Sequence, residues 1–204
     1  AGGVEFIQLR LSKGPANGKF GAPFEEALRQ RILDADEFYE RITPRSLGED
    51  ERRVHRQALA GMLWTKQYYY FDLDRWLKEH KAHPLLGGRG GVRNAEWFHM
   101  LNGDVISMPD KWEYPWYAAW DLAFHTLPLA IVDPDFAKEQ MTLMLKGVYL
   151  HPSGQLPAYE WNFSDVNPPV HAWATLFLHR TAQALGGETD VDFLRGAFNK
   201  LMLN

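Results

Sequence analysis

From Phe24 onward, apolar residues return at three- and four-residue spacing in block after block. That periodicity belongs to amphipathic helices packed on one another and leaves little room for a sheet. Phe24, Leu28, Ile32 and Ala35 mark a helix over 24–42. Val54, Ala58 and Met62 mark a second over about 51–70, with Gln57, Gly61, Trp64 and Tyr68 beside them and a pattern that extends toward Trp76. A third is predicted from Pro115, a residue suited to a first helical turn, to about Ile131, with a bend near Pro128. Asp133-Pro134 supplies the cap and first position of a fourth, ending near Tyr149. The fifth covers 170–185 and stops at Gly186-Gly187, and the sixth covers 191–203. Between them lie two long connections, 94–114 and 151–169, of a length that inside a compact domain is often functional. The fold class is therefore mainly α. No sequence repeat is visible, yet helix and long loop alternate as in half of a helical toroid rather than a four-helix bundle.

The N-terminal residues differ. In VEFIQLRL, residues 4–11, Ile7, Leu9 and Leu11 fall on one face, which predicts a single β-strand. A lone strand needs partners. Residues 1–13 are accordingly expected to close a preceding β-domain, and 14–204 to begin the helical domain. The chain opens without Met and closes on FNKLMLN in helical pattern with no stop signal, so it is expected to be a piece of a longer protein.

Several function classes recede. The formal net charge is −4 and no basic face stands out, so nucleic acid is not an expected partner. The apolar run 118–131 is interrupted by Asp121 and His125, and no segment is long enough to span a bilayer. The first residues lack the basic start and apolar block of a signal peptide, and there is no cysteine, which leans toward a reducing, cytoplasmic setting. Neither HExxH nor GxSxG occurs, and GGRGG at 87–91 lacks the Lys-Ser/Thr of a phosphate loop. No metal or cofactor is expected. His80 and His83 beside Glu79 fit a charged linker.

Eight tryptophans cluster instead of scattering. In WEYPWYAAWD, residues 112–121, a helix begun at Pro115 would set Tyr117 and Asp121 on one face, with Phe124 and His125 a turn on and Trp116 and Trp120 in the adjacent stripe. Burial among rings favours a neutral acid, and the nearby helix N-terminus favours the anion. Two readings stay open on this stretch: a general acid in an aromatic pocket, or a core helix whose Asp is capped or salt-bridged. The second connection carries Gln155, Tyr159, Glu160, Trp161, Asn162 and Asp165 and leads to His171. Such groups stack on a sugar ring and hydrogen-bond its hydroxyls, whereas turn chemistry alone does not account for Tyr159 and Trp161 together. Asn162-Phe163-Ser164 also matches a glycosylation sequon, a pattern common by chance. Asp104 and Asp110 in NGDVISMPDK fit a solvated connection.

The runs MPDKWEYPWYAAWDLAFH and HPSGQLPAYEWNFSDVNPPVHAWA closely resemble bacterial members of glycoside hydrolase family 63, which includes processing α-glucosidases and mannosylglycerate and glucosylglycerate hydrolases. RQALAGMLWTKQYYYFDLDRW also looks like that family's entry helix. The resemblance implies about half of an (α/α)6 barrel behind a β-rich domain, and an inverting enzyme for α-glucosides or α-mannosides. It implies that Asp121, in Trp120-Asp121, is the general acid. The family's general base is a Glu nearer the barrel's C-terminus, and no matching segment follows Asn204. Glu160 is a fallback, since inverting carboxyls stand about 6.5–9.5 Å apart, but is better suited to sugar hydroxyls. Trp112, Trp116, Tyr159 and Trp161 would shape the subsite, and Asn162 and Asp165 would bind hydroxyls. The partners implied are an α-linked oligosaccharide or a glycosyl-glycerate-type substrate, and either the rest of the barrel or a second copy. Two other classes remain: a non-catalytic carbohydrate-binding module and a helical interaction domain.

Overall fold

The computed structural model describes residues 2–11, 13–14, 20–92, 95–108, 110, 112, 116–158 and 168–204. They fall into two units, 1–48 and 49–204.

The first unit is built on helix α1, Ala22–Ile42, opened by a proline in its first turn and closed by the Thr43 N–H on the Tyr39 carbonyl. No residue of α1 is buried, and Leu28 and Ile32 stay exposed. Gln8 donates to Glu25 at 2.7 Å. Residues 4–11 alternate as expected but pair with no strand among the described residues, and Ile7, Leu9 and Leu11 are exposed. Alternation prepares a strand, and a ladder partner is what makes one.

The second unit starts with α2, Glu49–Leu63, whose first turn carries Glu49, Asp50 and Glu51 against the positive end of the helix. The sequence pattern extends this helix too far. Lys66–Asp72 (KQYYYFD) is a strand, β1, because a run of four aromatic residues favours a pleated, half-buried surface over a helix. Its partner is β2, Leu101–Ser107, within the stretch read as loop. The two pair antiparallel, from Lys66 opposite Ser107 to Asp72 opposite Leu101. Gln140 finishes the ribbon: its side-chain carbonyl accepts from the Ser107 N–H and its amide donates to the Val105 carbonyl, both at 3.0 Å. It thus occupies backbone groups that a further strand would otherwise take.

Asp72 caps α3, Leu73–Glu79, by accepting from the Arg75 N–H, and Leu73 and Leu77 are fully buried. His83 is no charged linker: it is buried, with Nε2 3.0 Å from Asp74 and Nδ1 accepting from the Leu85 N–H. Helix α4, Ala119–Val132, runs unbroken through Pro128 and packs on α2, β2, α5 and α6. Asp133 follows at its C-terminus and caps α5, Pro134–Met144, by accepting from the Phe136 N–H. Helix α6, Val170–Ala184, ends where Gly186 takes φ +81°, a left-handed conformation that favours glycine, and the Gly187 N–H reaches back to Ala182. Helix α7, Val191–Leu201, is the last helix expected and is capped by Asp190, a cap the sequence reading did not name. Seven helices and the two-stranded ribbon are thus present among the described residues. The core of this unit gathers Leu73, Leu77, Trp97, Met100, Ile106, Leu122, Leu129, Met141 and Met144. No helix among the described residues is long and apolar enough to cross a membrane.

Candidate functional site

Helix α4 starts four residues later than Pro115. Ala118 is extended, with φ −103° and ψ 93°, and offers no capping side chain. Asp121 is therefore the third residue of the helix, and its carboxyl lies in the first turn, where unpaired N–H groups collect. Tyr117 is not on the helix, so the expected pairing of Tyr117 with Asp121 across one turn does not form. Pro115 itself lies outside the described residues.

Asp121 is half-buried. One turn on, the half-buried His125 carries Nδ1 2.8 Å from Ser107 Oγ. Burial pushes the His125 imidazole below its ordinary range, and the Asp121 charge works the other way. The adjacent stripe of α4 continues onto α6 as a row of rings: Trp120 to Phe124 at 5.9 Å and Phe124 to Trp173 at 5.9 Å, both edge-on, then Trp173 to Phe177, tilted, at 6.2 Å. Phe124 and Trp173 are exposed on this row. Phe124 and Trp173 escaped the sequence reading as a pair because only the fold brings α4 and α6 together.

The other expected residues have different places. Tyr117 is buried, its ring tilted on Tyr149 at 5.0 Å. Tyr149 donates its hydroxyl to Asp104. Burial, and then the Asp104 carboxylate, push the Tyr149 phenol upward, and burial does the same to Tyr117, so neither ring is an acid near neutrality. Asp104 is thereby engaged rather than merely solvated. His171 is 2% exposed, and its Nε2–H donates to the Ala119 carbonyl at 3.2 Å, which places it behind the start of α4. Burial drops its pKa to about 4, with the Ala119 carbonyl opposing. Trp116 is half-buried, while Trp112 is 89% exposed and donates its backbone N–H to Asp110 at 3.0 Å. Gln155 is half-buried, and its carbonyl accepts from the His151 N–H. Tyr159, Glu160, Trp161, Asn162 and Asp165 lie outside the described residues.

Among the described residues no three His, Cys, Asp or Glu side chains are grouped to hold a metal ion. A cavity of about 480 Å³ opens between β2, α5 and α7, beside Phe136, Lys138 and Phe193, and the residues expected in the site do not line it. Asp121 with its neighbouring imidazole and ring row is the arrangement that offers proton-transfer chemistry beside a stacking surface.

Residues 114–204 match the family model described as the mannosylglycerate hydrolase MGH1-like glycoside hydrolase domain. The chain is also similar to an uncharacterized protein of Saccharomyces cerevisiae, 43% identical over 210 residues, an alignment that covers 97% of this chain and 19% of that protein. The chain thus spans about a fifth of the length of this curated relative. No solved structure matches.

Proposed function

We propose that the chain is part of the catalytic domain of an inverting α-glycosidase, with Asp121 as general acid. The observation that carries the proposal is the position of Asp121, half-buried in the first turn of α4 at the head of the Trp120–Phe124–Trp173 row, within the segment that matches a glycoside hydrolase domain. In this reading the rings receive the apolar face of a sugar, and Asp121 protonates the departing glycosidic oxygen. A second carboxylate, supplied by a longer polypeptide of the kind the yeast relative represents, activates water on the opposite face. Packed around α4, helices α2, α5 and α6 would form one side of an (α/α)6 barrel. The substrate class is an α-glucoside or α-mannoside, including small glycosyl-glycerate compounds, with Trp112, Trp116, Gln155 and the 159–165 residues shaping its subsites.

The test is Asp121→Asn in the longer protein that contains this chain, assayed on α-glucosides, α-mannosides and glycosyl-glycerates. Hydrolysis falls by at least about 100-fold while sugar binding persists, because an amide cannot supply the proton. Unchanged turnover would remove the proposed role. Sugar binding without hydrolysis in the unaltered protein would point to a binding module instead.

A further inference from the structure

Hydrogen-bond donors along one part-buried line fix a tautomer. Thr65 Oγ donates its single proton to the Met62 carbonyl at 2.6 Å, since a carbonyl can only accept. Thr65 Oγ also meets Ser107 Oγ at 2.6 Å, so in that contact the proton has to come from Ser107. Ser107 Oγ, its own proton committed, meets His125 Nδ1 at 2.8 Å and can only accept there. His125 therefore carries its hydrogen on Nδ1, and in the neutral ring Nε2 is bare. The main chain holds Ser107 in place: its N–H is bound by Gln140 and its residue is paired with Lys66 across the ribbon.

We infer that His125 is a positioning residue for Asp121, locked as the Nδ1–H tautomer by the Met62–Thr65–Ser107 line. The inference rests on reading Asp121 as the proton donor. The two side chains stand one turn apart on α4, and the Asp121 charge acts on the ring. A bare Nε2 has no hydrogen to give a carboxylate, and the acid's one proton stays available for the glycosidic oxygen, which is what a proton donor needs of its neighbour. The other tautomer would present an N–H and favour the wrong state. Ser107 itself is 2% exposed with both its proton and its acceptor side in use, so it has no place as a nucleophile.

The tautomer is read in this chain by long-range ¹H–¹⁵N spectra of ¹⁵N-histidine protein, with His125 assigned through His125→Gln. The Nδ1–H pattern is expected. Thr65→Val removes the acceptor that holds the Ser107 proton, frees that proton for Nδ1, and moves the ring toward the Nε2–H form with little change in side-chain size. Ser107→Thr retains the wild-type pattern. An Nε2–H ring in the unaltered protein, or a pattern indifferent to Thr65→Val, overturns the inference. In the longer protein, Thr65→Val lowers kcat on an α-glycoside by at least about tenfold with KM unchanged, whereas Thr65→Ser, which keeps the hydroxyl, and Ser107→Thr retain most of it. Full kcat in Thr65→Val, with Asp121→Asn inactive, overturns the positioning role alone. Hydrolysis that survives Asp121→Asn overturns the reading of Asp121 and this inference with it.

Discussion

Gln140→Met isolates what a single amide does for the β-ribbon. Methionine keeps nearly the same volume and is accommodated in irregular cores, so the substitution opens little cavity. It removes two hydrogen bonds at once, from the buried Ser107 N–H and to the part-buried Val105 carbonyl, each 3.0 Å long. An orphaned buried N–H costs about 1–3 kcal/mol, and the carbonyl, closer to water, adds about 1. The expected loss is therefore about 2–4 kcal/mol. With a typical urea slope of about 2 kcal/mol/M, the denaturation midpoint falls by about 1–2 M. Amide exchange at Ser107 accelerates more than at buried Leu129 in α4, because the opening is local to the strand. A change below about 0.5 kcal/mol, the level of ordinary surface substitutions, together with unaltered exchange at Ser107, would refute the view that α5 completes the ribbon.

Asp133 caps α5 and also holds the Lys66 ammonium, so Asp133→Asn keeps the cap and loses the ion pair, while Asp133→Ala loses both. Urea midpoints should rank wild type above Asn above Ala, with the cap step worth about 1 kcal/mol. His171, with its pKa depressed from 6.5 to about 4, is protonated in the unfolded chain before the folded one. Its contribution is fully present above about pH 6.5 and is lost as pH falls toward 4, by at most about 3 kcal/mol. In His171→Gln, whose amide can still donate to the Ala119 carbonyl, the decline of Tm between pH 7 and 4.5 becomes shallower; an identical slope would rule out a buried neutral imidazole. His125 titrates in the same direction and accounts for part of the remaining slope.

Periodicity and capping made the helices legible. The Asp133-Pro134 start, the Gly186-Gly187 stop and the segments that became α1, α5, α6 and α7 follow from local chemistry. The ribbon was harder to read because Trp64 and Tyr68 also continue a helical stripe. Only pairing with Leu101–Ser107 decides for a strand, and that partner lies far along the chain. Pro115 led to too early a helix start; the structure delays the helix until Ala119 and sends Tyr117 inward against Tyr149. Within the candidate site, Asp121 and the neighbouring rings were visible as a local cluster. The contacts of Ser107 with Thr65 and with His125 were not, since hydroxyls 42 residues apart carry no shared pattern.

One rung of the ribbon has a mechanical consequence. Lys66 stands opposite Ser107; Lys66 grips Asp133 at the far end of α4, and Ser107 grips His125 at its middle. Two tethers about 12 Å apart along the helix, at 1.5 Å per residue, thus return to the same pair of strand residues. A helix pinned twice to one rung cannot slide along its own axis without straining or breaking these tethers. Shear, a common way for packed helices to open and close a site, is thereby resisted in α4. Asp121 consequently rides on a fixed element, and motion beside it belongs to its neighbours.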